Sequence, residues 1–209
     1  GMGMVNALLR SGKKTIGAGA GNPPVIVDDT ADVKLAAREL YWGASFDNNL
    51  FCFAEKEVFV MEASADGLIR GLVEQGAYLL TPAETEAIVK LALIQKDGKY
   101  DKKWVGKDAG LFLKAIGVSG HENTRLLICD VPKCHPYVMV EQLMPVLPIV
   151  RCRTFDECIQ CSVEAEQGNR HTSSIFSTNV YNMTKFGKEI ETTIYVKNGA
   201  TLRGLGIGG

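Results

Sequence analysis

Short apolar runs alternate along this chain with segments in which apolar residues recur every three or four positions. A short apolar run favours a buried strand, whereas the longer spacing favours an amphipathic helix. Strands that alternate with helices are typical of an α/β fold. The pattern predicts strands at 24–29, 57–61, 126–131, 146–152, 173–177 and 192–198, and helices at 30–45, 64–75, 154–167 and 179–190, with a further helix beginning at 82.

Residues that cap helix N-termini mark where several of these helices begin. Thr81-Pro82-Ala83-Glu84 has a Thr cap, a proline in the first turn and a glutamate three residues after the cap, which predicts a capping box. Thr154-Phe155-Asp156-Glu157 predicts a second one, and Thr30 is expected to cap the helix that runs to about residue 45. Pro148 lies inside a predicted strand, which favours an edge or irregular position.

Composition excludes several classes of protein. The chain has 209 residues, 46% of them hydrophobic and 22% charged, which is not the composition of a disordered or fibrous chain. A formal net charge of −1 argues against a bulk electrostatic grip on nucleic acid or on an anionic membrane. No apolar run reaches the roughly 20 residues of a membrane span, and the first residues lack the apolar core of a signal peptide. The six cysteines are too sparse for a disulfide scaffold, so we expect reduced thiols.

The segment with the most chemical content runs from Phe46 to Glu57, with the sequence FDNNLFCFAEKE. It connects a predicted helix to a predicted strand, a position where α/β enzymes often place reactive groups. Cys52 could act there as a nucleophile, its thiolate stabilised by backbone N–H groups and by Lys56. The alternative is a structural cysteine, because a free cysteine commonly behaves as a small buried hydrophobe.

Other polar and thiol clusters carry weaker signals. Cys158 and Cys161 form a C-x-x-C pair with Cys152 nearby, but no second pair has metal-ligand spacing, so we expect a structural role and no metal site. Arg170 and His171 lie in a loop before a strand. They could bind an anionic group such as a phosphate, or they could simply order the loop.

Several motifs together resemble one family, the CoA-acylating aldehyde dehydrogenases, and in particular the propionaldehyde and acetaldehyde dehydrogenases of propanediol and ethanolamine utilisation. The motifs are GAGAGNPPVIVDDTAD upstream of Cys52, the segment around Cys52, CHPYVMVEQLMPVLPIV (134–150), QGNRHTSSIFS (167–177) and IYVKNGATLRGLGIGG (194–209). They occur in the family's order over essentially the whole chain. The resemblance implies an aldehyde dehydrogenase-like catalytic domain of three layers, with a largely parallel sheet flanked by helices.

The resemblance also implies a reaction. Cys52 would add to a short aliphatic aldehyde, hydride would pass to NAD, and the thioester left on Cys52 would be released by CoA. The backbone N–H of Cys52 would form half of an oxyanion hole, and Glu141 would hold the nicotinamide ribose, the alternative being a solvated surface glutamate. Asn48, Arg170 and His171 are expected as further substrate or CoA contacts. Ala18 stands where hydrolytic relatives have a glutamate base, which favours transfer to a thiol over hydrolysis.

The same resemblance divides the chain. Residues 1–17 resemble a remnant of the nucleotide-binding half and residues 18–209 the catalytic domain, without its C-terminal tail. We therefore expect weak NAD binding and slow turnover by the isolated chain. A homo-oligomer in the cytoplasm is expected, with a bacterial microcompartment lumen as the alternative location. Two other functions stay open: a catalytically silent oligomerisation module, and an acyl-phosphate reductase of the same superfamily.

Overall fold

The computed structural model describes residues 7–15, 20–93 and 101–208. Parts of the predicted 1–17 and 18–209 domains lie outside these residues, and so does Ala18.

Seven strands form one sheet in the order β3-β4-β5-β2-β1-β6-β7, and all neighbouring strands are parallel. The α/β fold with a largely parallel sheet is therefore confirmed. The strands are β1 Pro24–Val27, β2 Glu57–Met61, β3 Tyr78–Leu79, β4 Leu127–Asp130, β5 Val146–Cys152, β6 Thr172–Phe176 and β7 Ile194–Lys197.

Within the described ranges, seven α-helices connect these strands. They are α1 Val33–Ser45, α2 Glu62–Glu74, α3 Pro82–Ile88, α4 Ala109–Ala115, α5 Pro136–Met139, α6 Phe155–Glu166 and α7 Val180–Glu189, with a π turn at Val89–Leu93 and 3-10 turns at Phe46–Asn49, Lys102–Trp104 and Thr201–Leu205. Among the described residues, no helix combines the length and apolar character that a membrane span requires.

Helices cover both faces of the sheet, because side chains alternate along each strand. Val25 and Val27 of β1 pack against α1 and α2 through residues such as Leu40 and Leu68. Ile26 of the same strand belongs to a second core, formed with α3 to α7. The three-layer architecture is therefore confirmed.

The helix starts agree with the sequence in part. The Thr81 capping box forms as predicted, with both of its hydrogen bonds present. Thr154 caps α6, but Glu157 accepts a hydrogen bond from the Arg153 amide rather than from Thr154. Thr30 does not cap α1. Asp32 lies directly before the helix and accepts from two first-turn amides at 3.1 Å.

Pro148 is not at an edge of the sheet, because β5 is an interior strand, paired with β4 on one side and β2 on the other. A proline cannot donate to the ladder. The ladder between β5 and β2 accordingly begins only at Ile149. The side-chain amide of Gln142 donates to the carbonyl oxygens of Lys56 at 3.1 Å and Val146 at 2.9 Å, so it supplies donors where the ladder has none.

The glycine-rich segment after β7 is also more structured than its composition suggests. Arg203 makes a bidentate contact with Glu39 of α1, through Nε at 2.6 Å and Nη2 at 2.9 Å. Its guanidinium lies over the Trp42 ring, 5.3 Å from the centroid. Residues 201–208 thus pack on α1.

Candidate active site

Four neighbouring strands of the sheet, β5, β2, β1 and β6, are each preceded by a segment that carries a candidate residue. Glu141 precedes β5, Cys52 precedes β2, Gly21 precedes β1 and His171 precedes β6. Because the strands are parallel, their amino ends lie at one edge of the sheet. The fold therefore brings together segments that are far apart in sequence, such as those of Gly21 and Glu141, which are 120 residues apart.

The turn before Cys52 has an unusual backbone. Asp47, Asn48 and Asn49 all have positive φ, at 47°, 53° and 59°. Asp and Asn tolerate this left-handed region better than other residues with a side chain, because their short polar side chains can hydrogen-bond locally. Asn49 is buried, and its amide group donates to the Glu55 carbonyl at 2.9 Å. The Asp-Asn-Asn sequence thus suits the conformation that the turn requires.

Cys52 is half-buried in a turn closed by the Ala54 amide, which donates to the Phe51 carbonyl at 3.1 Å. The rings of Phe51 and Phe53 stack beside it at 4.9 Å. Gly21 packs against it so closely that a Cβ at position 21 would collide with the Cys52 carbonyl oxygen. The thiol is therefore partly accessible, and its backbone is held by a segment that only glycine fits.

Glu141 contacts the same glycine. Its Oε1 accepts a hydrogen bond from the Gly21 amide at 3.0 Å. The side chain is half-buried, and Oε2 has no hydrogen-bond partner among the described residues. One carboxylate oxygen thus orders the glycine segment, and the other could accept a hydrogen bond from a ribose hydroxyl, which fits the predicted cofactor contact.

His171 reaches the site from β6. A Cβ at Gly21 would lie 3.2 Å from its Cδ2, so the imidazole sits next to the backbone that touches Cys52. Its Nδ1 pairs with the Thr172 hydroxyl at 2.8 Å, and its backbone amide donates to Glu166 at 3.1 Å. Burial lowers the pKa of His171, which favours the neutral ring at neutral pH.

Lys56 is fully buried beneath this site. Its ammonium group donates to the Asn49 backbone carbonyl at 2.7 Å and also to the Asn49 side-chain oxygen. Burial lowers its pKa to about 8, against the opposing pull of nearby acidic groups. Those groups are Glu141, Glu57, Cys52 and Glu55.

Two buried glutamates flank Lys56 in the chain. Burial raises the pKa of Glu55 to about 7, and one of its oxygens accepts from the Thr201 amide at 2.6 Å. Burial also raises the pKa of Glu57 well above its usual value. Neither Glu57 oxygen has a hydrogen-bond partner among the described residues, so a neutral carboxyl is the favoured form there.

The structure brings Cys52, Glu141 and His171 together around Gly21. Asn48 points its amide group elsewhere, donating to the Gly106 carbonyl at 3.0 Å and to Asp108 at 2.8 Å.

Arg170 is exposed and pairs with Glu191 at 3.0 Å. The contacts of Asn48, Arg170 and His171 with substrate or CoA stay predictions.

Gly21, Asn49 and Glu166 were not singled out from the sequence. The part of Gly21 depends on its hydrogen bond with Glu141, 120 residues away in sequence, which no local pattern records. The three successive polar residues before Leu50 were the available signal for a left-handed turn.

A cavity of about 690 Å³ lies elsewhere, at the carboxyl ends of β2, β4 and β5. Arg151 crosses it and pairs with Glu62, Asp66 and Asp130 at 2.7 to 3.0 Å. It lies at the sheet edge opposite Cys52, so it is not the site described above. Within the described ranges, no three His, Cys, Asp or Glu side chains are arranged to hold a metal ion.

Fold and site together describe an α/β domain with a candidate thiol nucleophile at the amino edge of its parallel sheet. The chain belongs to the aldehyde dehydrogenase family, whose model matches residues 2–207.

Two curated relatives, both from Salmonella typhimurium, are similar over nearly the whole chain. The acetaldehyde dehydrogenase (acetylating) EutE is 43% identical over 97% of this chain, and the propanal dehydrogenase (CoA-propanoylating) is 43% identical over 100% of it. The chain spans 44% and 45% of these relatives, which is less than half of their length.

Solved structures of related proteins are also similar over nearly the whole chain. A propionaldehyde dehydrogenase from the Clostridium phytofermentans fucose utilisation bacterial microcompartment superposes with a TM-score of 0.95 at 44% identity, covering 100% of this chain and 48% of its own. A Rhodopseudomonas palustris propionaldehyde dehydrogenase with bound CoA and an acylated cysteine has a TM-score of 0.95 at 45% identity, covering 99% of this chain and 47% of its own.

Proposed function

We propose that this chain is the catalytic portion of a CoA-acylating aldehyde dehydrogenase, which oxidises a short aliphatic aldehyde to an acyl-CoA. The observation that carries the proposal is the half-buried thiol of Cys52, in a turn held by the Gly21 backbone and close to Glu141 and His171. The relatives that share this fold at 43 to 45% identity act on acetaldehyde or propionaldehyde according to their names, and one carries an acyl group on a cysteine.

Cys52 is the nucleophile of the proposed reaction. Its sulfur adds to the aldehyde carbonyl to form a thiohemiacetal, and loss of hydride leaves a thioester on Cys52. The Cys52 backbone N–H stabilises the oxyanion that develops on the carbonyl. NAD, when bound, supplies the hydride acceptor, and the Glu141 oxygen that does not accept from Gly21, Oε2, would hold its ribose.

His171 accepts the proton of the CoA thiol in the second half of the reaction. Burial favours its neutral form, its Nδ1 is committed to Thr172, and its Nε2 makes no hydrogen bond to a described residue. A neutral imidazole with a free nitrogen is a suitable base near neutral pH. The incoming thiolate then displaces Cys52 from its acyl group.

The location and assembly of the protein are part of the same proposal. One similar structure comes from a bacterial microcompartment, which supports either that lumen or the surrounding cytoplasm. A homo-oligomer stays a prediction.

The acyl-transfer half of the reaction can be tested without hydride transfer. The chain is incubated with propionyl-CoA, or with a propionyl thioester of N-acetylcysteamine, which needs no nucleotide-binding surface. Intact-protein and peptide mass spectrometry should find one propionyl group, located on Cys52 and released by free thiol.

Cys52→Ala should abolish this propionyl label. Cys134→Ala, which removes an exposed thiol elsewhere, should leave it unchanged. Absence of the label, or a label on Cys134 instead, would contradict the proposal.

A further inference from the structure

The connections of Lys56 reach the segments that carry Gly21, Glu141 and Cys52. Its backbone amide donates to the Pro23 carbonyl at 3.1 Å, which fixes the segment that carries Gly21. Its carbonyl accepts from the Gln142 side chain at 3.1 Å, which fixes the residue next to Glu141. Its ammonium group holds Asn49 in the turn that leads to Cys52.

The burial of the Lys56 ammonium group is the energetically unfavourable part of this arrangement. A buried cation is unfavourable unless it is paired and hydrogen-bonded. Here its two identified acceptors are both on Asn49, a residue in the left-handed conformation. An uncharged side chain of similar length that ends in a methyl group, such as methionine, would fill the same space. Packing alone therefore does not explain why a lysine occupies this position.

We propose that Lys56 is the positioning residue of the site, which holds the Asp47–Asn49 turn through its ammonium group and places a positive charge beneath Cys52. The inference rests on the proposed function, because it assigns the lysine a part in presenting an anionic sulfur. Since the charge is shielded from water, it acts on Cys52 more strongly than a surface lysine would.

A positive charge beneath a thiolate can be measured with two alkylating reagents of similar size. Iodoacetate is an anion and iodoacetamide is neutral, so a nearby cation favours iodoacetate. The ratio of their rates at Cys52 cancels the fraction of thiolate, which is common to both reactions. We expect Lys56→Met to lower this ratio at pH 7 by roughly threefold or more. Gln142→Met is the matched control, because it removes a neutral donor from the same set of contacts and should keep the ratio of the unmodified chain.

The unmodified chain provides a second measurement that does not depend on the variant folding. Lys56 has a pKa of about 8, so its charge is lost as the pH rises from 7 to 9 and the ratio should fall over that range. Glu55 also ionises as the pH rises through about 7, so the titration is repeated in Glu55→Gln, where the fall should persist. In Lys56→Met it should disappear.

The outcomes separate the two proposals. A ratio that is independent of pH in the unmodified chain, or equal in folded Lys56→Met, overturns the role of Lys56 and leaves the acyl transfer to Cys52 standing. A Cys52 that reacts with neither reagent overturns both.

Discussion

At the scale of single residues, the sequence around Cys52 combines groups that are unfavourable one by one. Three successive non-glycine residues adopt positive φ, and Lys56 is buried together with Glu55 and Glu57. Backbone conformations of this kind cost of order 1 to 3 kcal/mol each and persist where the surrounding structure over-determines them. Here, hydrogen bonds from the Lys56 ammonium group and from the side-chain amide of Asn49 hold the turn in this conformation.

Glu55 gives a stability prediction with a definite sign. Its pKa of about 7 in the folded chain is above the ordinary 4.5, so the folded state binds more protons between these values and loses stability as the pH rises through them. The resulting loss of free energy of unfolding should be about 3 kcal/mol. Glu55→Gln removes this loss. As the pH rises from 5 to 8, the free energy of unfolding of Glu55→Gln should therefore increase relative to that of the unmodified chain. Urea denaturation at each pH measures the difference.

A sign control comes from Glu122, an exposed residue whose pKa is lowered by hydrogen bonds from its own backbone and from the Gly120 amide. Glu122→Gln should change the pH dependence of the free energy of unfolding in the opposite sense and by much less. Equal pH profiles for Glu55→Gln and the unmodified chain would show that Glu55 is not buried as described.

At the scale of elements, local signals predicted well wherever the cause was local. The Thr81 capping box and the bounds of β2 and β5 follow from residues that are close in sequence. The prediction that Thr30 caps α1 was wrong because Asp32, two residues later, takes that position. Tertiary contacts decided between them: the Thr30 hydroxyl donates to Asp28 at 2.8 Å and also meets Ser177 at 3.2 Å, and Asp32 is left to cap the helix.

The cap of α1 can be tested directly. Asp32→Ala removes the acceptor of two first-turn amides and should destabilise the chain by about 1 kcal/mol. Asp29→Ala removes an exposed carboxylate just before the helix and should cost much less. Chemical denaturation of both variants measures the difference. If Asp32→Ala cost no more than Asp29→Ala, the assignment of the cap would be wrong.

At the scale of the whole molecule, sheet order assembles the site. The site segments precede β5, β2, β1 and β6, which are neighbours in space and far apart in the chain. The distance from Gly21 to Glu141 in sequence is 120 positions, yet their hydrogen bond is 3.0 Å long.

The 209-residue chain spans 44% of its relative EutE, so much of the relatives' length has no counterpart in it. We expect this chain to accept an acyl group on Cys52 and yet to form NADH slowly from propionaldehyde, NAD and CoA. Absorbance of NADH measures the rate, with Cys52→Ala as the background. Rapid, Cys52-dependent NADH formation would show that the chain carries a sufficient nucleotide site by itself.

The sequence by itself determined the alternation of strands and helices, the family, and the identity of the candidate nucleophile. Apolar periodicity, capping residues and the motif around Cys52 are all local, and local patterns are readable without coordinates. Only the tertiary structure decided that Pro148 is in an interior strand, that Asp32 caps α1, and that Gly21 and Lys56 connect the segments around Cys52. Those outcomes depend on which strands become neighbours and on which polar groups are then sealed from water, and both are settled by packing across the whole chain.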